Sequence, residues 1–383
     1  MILPPATLGM LGGGQLGRYF VMAAHELGYR VLVLDPDSCS VAGRIADEHL
    51  VAAYDDRVAL DRMAESCAAI TMEFESVPAD SLAYLAKFVP VRPGSEAVAI
   101  CQNRSLEKDF LKLHGFSHAP YADIRSEDDI KNASANLFPG ILKVSRFGYD
   151  GKGQVRVKGR GDALAAFSQF KNESCVLEQM LTLEHEVSVV LTRNENGIIE
   201  CYPATQNHHC QGVLDYSIVP ARDIPDHLAA KAKEIAEDIA DRMSFTGTLG
   251  VEFFVMNGVL YVNEIAPRPH NSGHYTLDAC VTNQFEQQVR MLCGLPLGDT
   301  KPHSVAVMIN LLGDLWYPDK FDNAREPDWH KLLEVPKLKL HLYGKHHARP
   351  GRKMGHFTVL GEDPEKVHET AMAARAAIGI SDE

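Results

Sequence analysis

The sequence is short of several things, and each shortage removes a class of protein. No apolar run in its 383 residues approaches the ~20 needed to cross a bilayer, so a membrane span is not expected. The eight cysteines are scattered with no CxxC pair, which argues for reduced thiols in place of disulfides or a zinc site. Lysine and arginine number 38 against 51 acids, a net charge of −13. The bases are not massed into a stripe, so nucleic acid is not an expected partner. The opening MILPPATLGMLGGG has no basic n-region or signal cleavage site, and a cytoplasmic location is expected. Repeats and low-complexity segments are also lacking. What remains is 45% hydrophobic and 23% charged, ordinary for a globular protein of two or three domains.

The pattern along the chain is α/β. Thr7–Leu11 reads as a strand, Gly12–Gly28 as a turn entering a helix, and Arg30–Asp35 and Ala68–Glu73 as further strands. That alternation predicts a parallel sheet covered by helices. Arg104–Gly115 reads as an amphipathic helix. Ile141–Ser145, Val155–Val157 and Cys175–Glu178 read as short strands around a glycine-rich loop, and Val187–Leu191 and Ile198–Tyr202 as an antiparallel continuation. Helices are expected over His227–Met243, with Asp226 as cap, over Tyr275–Cys293, and near Asp363–Ala377.

The densest chemistry lies at Gly250–His274, where two apolar strands flank Asn257-Gly258, a strong hairpin signal. Each strand carries an acid, Glu252 and Glu264. A two-residue loop would set Glu252 opposite Asn263 and turn Glu264 to the other face. A three-residue loop would set the two acids opposite each other. Paired carboxylates on one face can hold Mg²⁺ shared with phosphate oxygens; two rim acids on an edge hairpin are the plainer alternative.

Two glycine-rich turns add to this. Gly12, Gly14 and Gly17 after a strand, with Asp35 ending the next, match the dinucleotide fingerprint. Another phosphorylated ligand, or tight turn packing alone, would use the same glycines. The loop Arg146–Gln154 (RFGYDGKGQ) is not a P-loop, since it lacks GK[ST] and enters a strand. It reads as a flap whose amides cover phosphates, expected to be mobile until nucleotide binds, with Lys143 just upstream. The connector Val176–Leu181 could read adenine through its backbone, and Glu186 could hold a ribose. His208, His209 and Cys210 lack the spacing of a four-ligand metal set. Lys345, Arg349, Arg352 and Lys353, in an otherwise acidic chain, suggest a phosphate site.

In order, GGGQLGR, ILKVSRFGYDGKGQ, VLEQMLTLEHEVS, GVEFF…VNEIAPRPHNSGH and RPGRKMGH resemble the ATP-grasp carboxylate–amine ligases. More narrowly they resemble the N5-carboxyaminoimidazole ribonucleotide synthetase family of purine (IMP) biosynthesis, from about Gly9 to the final helix. Lys152 stands where many relatives have arginine, which keeps the cation but weakens bidentate anion binding.

The resemblance implies an ATP-grasp fold in three parts. These are an N-terminal α/β substrate-binding domain over 1–102, an ATP-grasp region over 103–295 with a lid at about 120–185, and a C-terminal region over 296–383 that completes the ribonucleotide site. It implies carboxylation of 5-aminoimidazole ribonucleotide by bicarbonate and ATP through carboxyphosphate, with Mg²⁺ or Mn²⁺ and without biotin, in a homodimer.

By the same resemblance Arg104, Lys143 and Gly148, Tyr149, Asp150, Gly151, Lys152, Gly153 and Gln154 would contact phosphates. Glu178, Gln179, Met180 and Leu181 would hold adenine, Glu186 the ribose, and His209 would lie near the nucleotide. Glu252 and Glu264 would bind the metal beside Asn263. Tyr149, Asp150, Lys152, Arg268, His270 and Asn271 would surround bicarbonate and the amine, with Asp150 and His270 both open as the general base. Gln15, Leu16, Glu73, Lys345, Arg352 and Lys353 would hold the ribonucleotide. The rivals are a formate- or glycine-dependent ligase on the same scaffold, an NAD(P)-dependent oxidoreductase resting on Gly12–Gly17, and a nucleotide-binding regulator without turnover.

Overall fold

The structure is a computed structural model that describes residues 1–146, 153–317 and 324–380. Its N-terminal part is a four-stranded parallel sheet in the order Glu48–Leu50, Arg30–Leu34, Thr7–Leu11, Ala69–Met72. The strands RVLVL and AITM are near-continuous apolar runs because helices cover both faces, and their residues after Arg30 are buried. The helix Gln15–Glu26 follows the first strand at once, so its N-terminus and the strand ends open on one edge.

A second, four-stranded antiparallel sheet runs Tyr121–Ile124, Cys175–Gln179, Gly140–Val144, Gln154–Val157. The helices Glu127–Asn132 and Arg160–Gln169 close its core through Ile130, Ala163, Ala166 and Phe167. The third sheet has nine strands among the described residues. Its path is Val259–Ala266, Gly247–Met256, His185–Arg193, Thr205–Cys210, Val213–Val219, Val305–Leu312, Lys353–Gly361, Leu338–Leu342, with Ile199–Cys201 pairing on His185–Arg193. The C-terminal strands therefore continue the sheet that carries the acidic hairpin. Among the described residues no helix is long and apolar enough to cross a membrane.

Two helix expectations are corrected. The helix after Pro225 starts at Asp226 itself, with no side-chain cap. The span expected as one helix over Tyr275–Cys293 is a 3₁₀ turn at Asn271–Tyr275, a short helix at Thr276–Ala279 and a second helix at Gln284–Leu292. The break falls where Val281 and Thr282 precede Asn283, whose side chain accepts from the Phe285 and Glu286 amides. A β-branched pair followed by a strong N-cap begins a new helix.

The hairpin register follows neither simple alternative. Met256 pairs with Val259, so the loop is the two-residue Asn257-Gly258 turn, both residues at positive φ as a type I′ turn requires. Yet Glu252 pairs with Glu264, because Asn263 is an extra residue that bulges the second strand. A bulge places two residues opposite one and re-aims a side chain. The chain thus gains the tight turn and also faces the acids together.

Candidate active site

One cleft of about 1170 Å³ lies where the three sheets meet. Gln15, Leu16, Glu73, Arg104, Lys143, Gln154, Glu186, His209, Glu252, Asn263, Glu264, Arg268, His270, Asn271, Lys345, Arg352 and Lys353 all line it. Segments more than 300 residues apart therefore share one space. It is large enough for two ligands of nucleotide size, since a drug-sized site is typically ~300–1,000 Å³.

At the hairpin, Glu252 and Glu264 lie on neighbouring strands with Asn263 between them. Asn263 Nδ2 donates to Glu252 Oε2 at 3.3 Å. Among the described residues its buried Oδ1 has no partner. Two carboxylates and an orphaned amide oxygen are a hard oxygen donor set, which suits Mg²⁺ or Mn²⁺. Arg104 reaches Glu264 Oε2 at 3.3 Å, and His270 Nε2 lies 3.2 Å from Glu252 Oε1. Burial opposes the charge on Glu252, but the bond from His270 and the fields of His209 and Lys353 win, holding its carboxyl well below the usual range. Arg268 pairs with Glu75, an acid the motif reading missed although it closely follows the Ala69–Met72 strand. Asn271 and Asn310 exchange amide bonds of 3.1 and 2.7 Å, which fixes the polar run behind the hairpin.

On the neighbouring wall Glu186 pairs with His209. Burial works against a charged His209, but the bond to Glu186 and the field of Glu252 raise its pKa. Lys143 lies on the cleft wall 2.9 Å from Glu178 Oε2. Glu178 to Leu181 do not line the cleft; Glu178 is 2% exposed, 3.7 Å from the buried Lys108. Burial pushes its carboxyl up, yet Lys143, Lys108 and Arg104 pull it down to about 2. Its side chain serves a buried ion cluster, which fits poorly with the adenine contact the resemblance implied. The N–H groups of Gln179 and Met180 bond the carbonyls of Pro120 and Pro139, so both are already taken by the protein. Gly153 accepts the Val144 amide at 2.8 Å. Gly148, Tyr149, Asp150, Gly151 and Lys152, and with them the expected closing flap, lie outside the described residues.

The glycine turn differs from a dinucleotide cradle. Gly13 N–H donates to Asp35 Oδ2 at 2.7 Å, Gly14 N–H to Glu73 Oε1 at 2.5 Å, and Gly17 N–H to Glu73 Oε2 at 2.8 Å. A Cβ on Gly14 would sit 2.5 Å from Glu73 Oε1, so glycine is needed for that close approach. The expectation that these amides cradle a phosphate is corrected: two carboxylates already occupy them, and a pyrophosphate beside them would be repelled. Burial raises the Glu73 carboxyl against the pull of the two amides. Lys345, Arg349, Arg352 and Lys353 line the same cleft. Lys345 Nζ donates to the Lys353 carbonyl at 2.7 Å and Arg352 to the His347 carbonyl at 2.8 Å.

An acidic strand pair, a cationic wall and a separate four-stranded antiparallel sheet define the class: an ATP-grasp enzyme. The chain matches the ATP-grasp domain model over residues 109–285, the ribonucleotide synthetase preATP-grasp domain over 5–102, and the phosphoribosylaminoimidazole carboxylase C-terminal domain over 306–370. It is 41% identical over 367 residues to the N5-carboxyaminoimidazole ribonucleotide synthase of Bacillus subtilis, covering 95% of this chain and 94% of the relative. The Staphylococcus aureus N5-carboxyaminoimidazole synthetase complexed with ADP superposes with a TM-score of 0.89 at 37% identity, over 98% of each chain. The Aspergillus clavatus enzyme in complex with ADP and 5-aminoimidazole ribonucleotide superposes with a TM-score of 0.88 at 28% identity, over 97% of this chain and 98% of that one. The chain belongs to the N5-carboxyaminoimidazole ribonucleotide synthase family.

Proposed function

We propose that this chain, an ATP-dependent carbon–nitrogen ligase, carboxylates 5-aminoimidazole ribonucleotide with bicarbonate to N5-carboxyaminoimidazole ribonucleotide, in purine biosynthesis. The observation that carries the reading is the single cleft. The acid pair, the carboxylate-capped glycine turn and the basic 345–353 segment all line it. A nucleotide triphosphate and a ribonucleotide can lie end to end there. In the reaction a bicarbonate oxygen attacks the γ-phosphorus and ADP leaves. The exocyclic amine then takes the carboxyl group, with loss of a proton and release of phosphate.

Each wall has a task in this. Glu252, Asn263 and Glu264 would hold Mg²⁺ or Mn²⁺, which when bound neutralises charge on the transferred phosphoryl group. Lys143, Arg104 and Gln154 line the triphosphate side, Glu186 and His209 the ribose, and the Leu181 amide the base. Arg268, His270 and Asn271, with Tyr149, Asp150 and Lys152, surround bicarbonate and the amine. Gln15, Leu16, Glu73, Lys345, Arg352 and Lys353 hold the ribonucleotide. Positioning two anions and a weak nucleophile in a site closed to water is the protein's main contribution. The division at about residues 102 and 295, the lid at about 120–185, a cytoplasmic location and a homodimer belong to the same reading; sedimentation equilibrium tests the last. Its central test is ATP turnover with 5-aminoimidazole ribonucleotide and one acid at a time. Bicarbonate should support turnover and formate or glycine should not; turnover with formate alone, or with none of the three, overturns it.

A further inference from the structure

His270 stands between two sets of partners. Nε2 faces the cleft, 3.2 Å from Glu252 Oε1. Nδ1 faces inward, 2.7 Å from Ser272 Oγ and 3.3 Å from the Ser272 backbone nitrogen. A backbone N–H can only donate, so Nδ1 must accept, and the proton of the neutral ring then sits on Nε2. Behind Ser272 runs a buried chain. Ser188 Oγ donates to Ser272 Oγ at 2.6 Å, Asn207 Nδ2 donates to Ser188 Oγ at 2.8 Å, and Ser217 Oγ donates to Asn207 Oδ1 at 2.9 Å. None of these four side chains belongs to a residue more than 3% exposed.

The direction of this chain matters. A row of hydroxyls can run either way, and flipping the Asn207 amide would reverse every donor and leave the proton on Nδ1. The Ser272 amide breaks that symmetry, because it cannot accept. Ser272 Oγ accepts from Ser188 and has its own proton to give, and Nδ1 is the acceptor beside it.

We propose that Ser272, Ser188 and Asn207 are positioning residues that lock His270 in its Nε2–H tautomer. His270 is then a hydrogen-bond donor at the reacting end of the cleft and not the general base. The proposal rests on the reading that bicarbonate and the transferred phosphoryl group meet there. A donor suits anionic oxygens in a site of low dielectric. Locking a ring tautomer from behind is a device whose loss costs rate without displacing the ring.

The test reads the tautomer directly. Two-bond ¹H–¹⁵N correlation on protein labelled at histidine, at one neutral pH, should show the Nε2–H pattern for His270, its signals assigned by their loss in His270→Gln. An Nδ1–H pattern, or an averaged one, overturns the proposal without any other variant having to fold. Asn207→Asp replaces the chain's amide donor by an acceptor and draws the Ser188 hydroxyl away from Ser272. The signals should move toward Nδ1–H, and kcat should fall by roughly tenfold or more while the KM for ATP changes little. Adding Ser188→Ala cuts the reversed chain from Ser272 and should restore the Nε2–H pattern and part of kcat. A shifted tautomer with unchanged kcat, or no recovery in the double variant, also overturns it. Failure of bicarbonate to support turnover would refute the proposed function and leave the tautomer result standing.

Discussion

Glu178 and Glu252 are both strand carboxylates held below the usual range against the pull of burial, yet they do opposite things. Glu178 is enclosed by Lys143 and Lys108. Glu252 faces open space, where its partners are His270 and Asn263 and its neighbour across the hairpin is a second acid. Cations that surround an acid fulfil its charge and make it structural. Donors that leave lone pairs free, beside another carboxylate, leave it able to take a further cation. The depressed pKa is common to both, so it does not by itself mark function; what distinguishes them is that Glu178 is sealed among buried lysines while Glu252 lines the cleft opposite a second acid.

The strongest way to break this comparison is Glu178→Gln. Removing the acid leaves Lys143 and Lys108 buried without a countercharge, which should cost about 3–5 kcal/mol of stability. Glu178 is lowered to about 2 in the folded chain, against ~4.3 when unfolded. The unfolded state thus binds more protons between these values. The stability from this group is full above ~4.3 and is lost as pH falls toward 2. Urea titrations of wild type and variant should differ most near neutrality and converge toward pH 2; parallel curves would show that Glu178 is not the group responsible.

Next in size, Glu252→Gln and Glu264→Gln should each lower kcat by on the order of 10²-fold, about 2.7 kcal/mol. The urea midpoint should move far less than for Glu178→Gln. A Glu252→Gln protein that unfolds easily but turns over normally would make the two carboxylates alike after all. Smaller again is Arg352→Ala. Burial and then Arg349 lower the Arg352 pKa, so its guanidinium gains most from an arriving dianion. The KM for the ribonucleotide should rise roughly tenfold, with little change in that for ATP. Equal rises would move the basic segment to the nucleotide end.

Local features of this fold were readable and non-local ones were not. Asn257-Gly258 announces its turn, because type I′ geometry selects those residues. The bulge at Asn263 has no such signature, since it is set by pairing between strands, and it decides whether the acids meet. The glycines of 12–17 show that a chain approaches closely there. They do not show that the approaching groups are the carboxylates of Asp35 and Glu73, 22 and 59 residues away. Nothing local marks Glu178 as a buried acid, since its partner Lys143 lies 35 residues back across a sheet. The stretch after Tyr275 reads as one helix, and only the β-branched pair Val281-Thr282 ahead of Asn283 marks the break. The site was legible where chemistry clusters along the chain, as in PRPHNSGH, and not where the chain must fold to bring it together.

Glu186 and His209 lie between the two extremes and give the smallest effect. Their side chains are 25% and 18% exposed, so water partly screens the pair. Its worth should be no more than about 1 kcal/mol. The His209 pKa is raised, with burial opposing and the Glu186 bond and Glu252 prevailing. The folded chain therefore holds this proton more tightly than the unfolded chain, whose histidine titrates near ~6.5. The stabilisation is fully present below that value and is lost as pH rises through the higher folded pKa. Thermal unfolding of His209→Gln should match wild type on the alkaline side and fall slightly below it on the acidic side of neutrality. If ATP places its ribose against Glu186, saturating nucleotide should shrink that gap, because the ribose hydroxyls then compete for the same carboxylate. A gap that nucleotide leaves untouched would put Glu186 with Glu178, as an acid already spoken for by the protein.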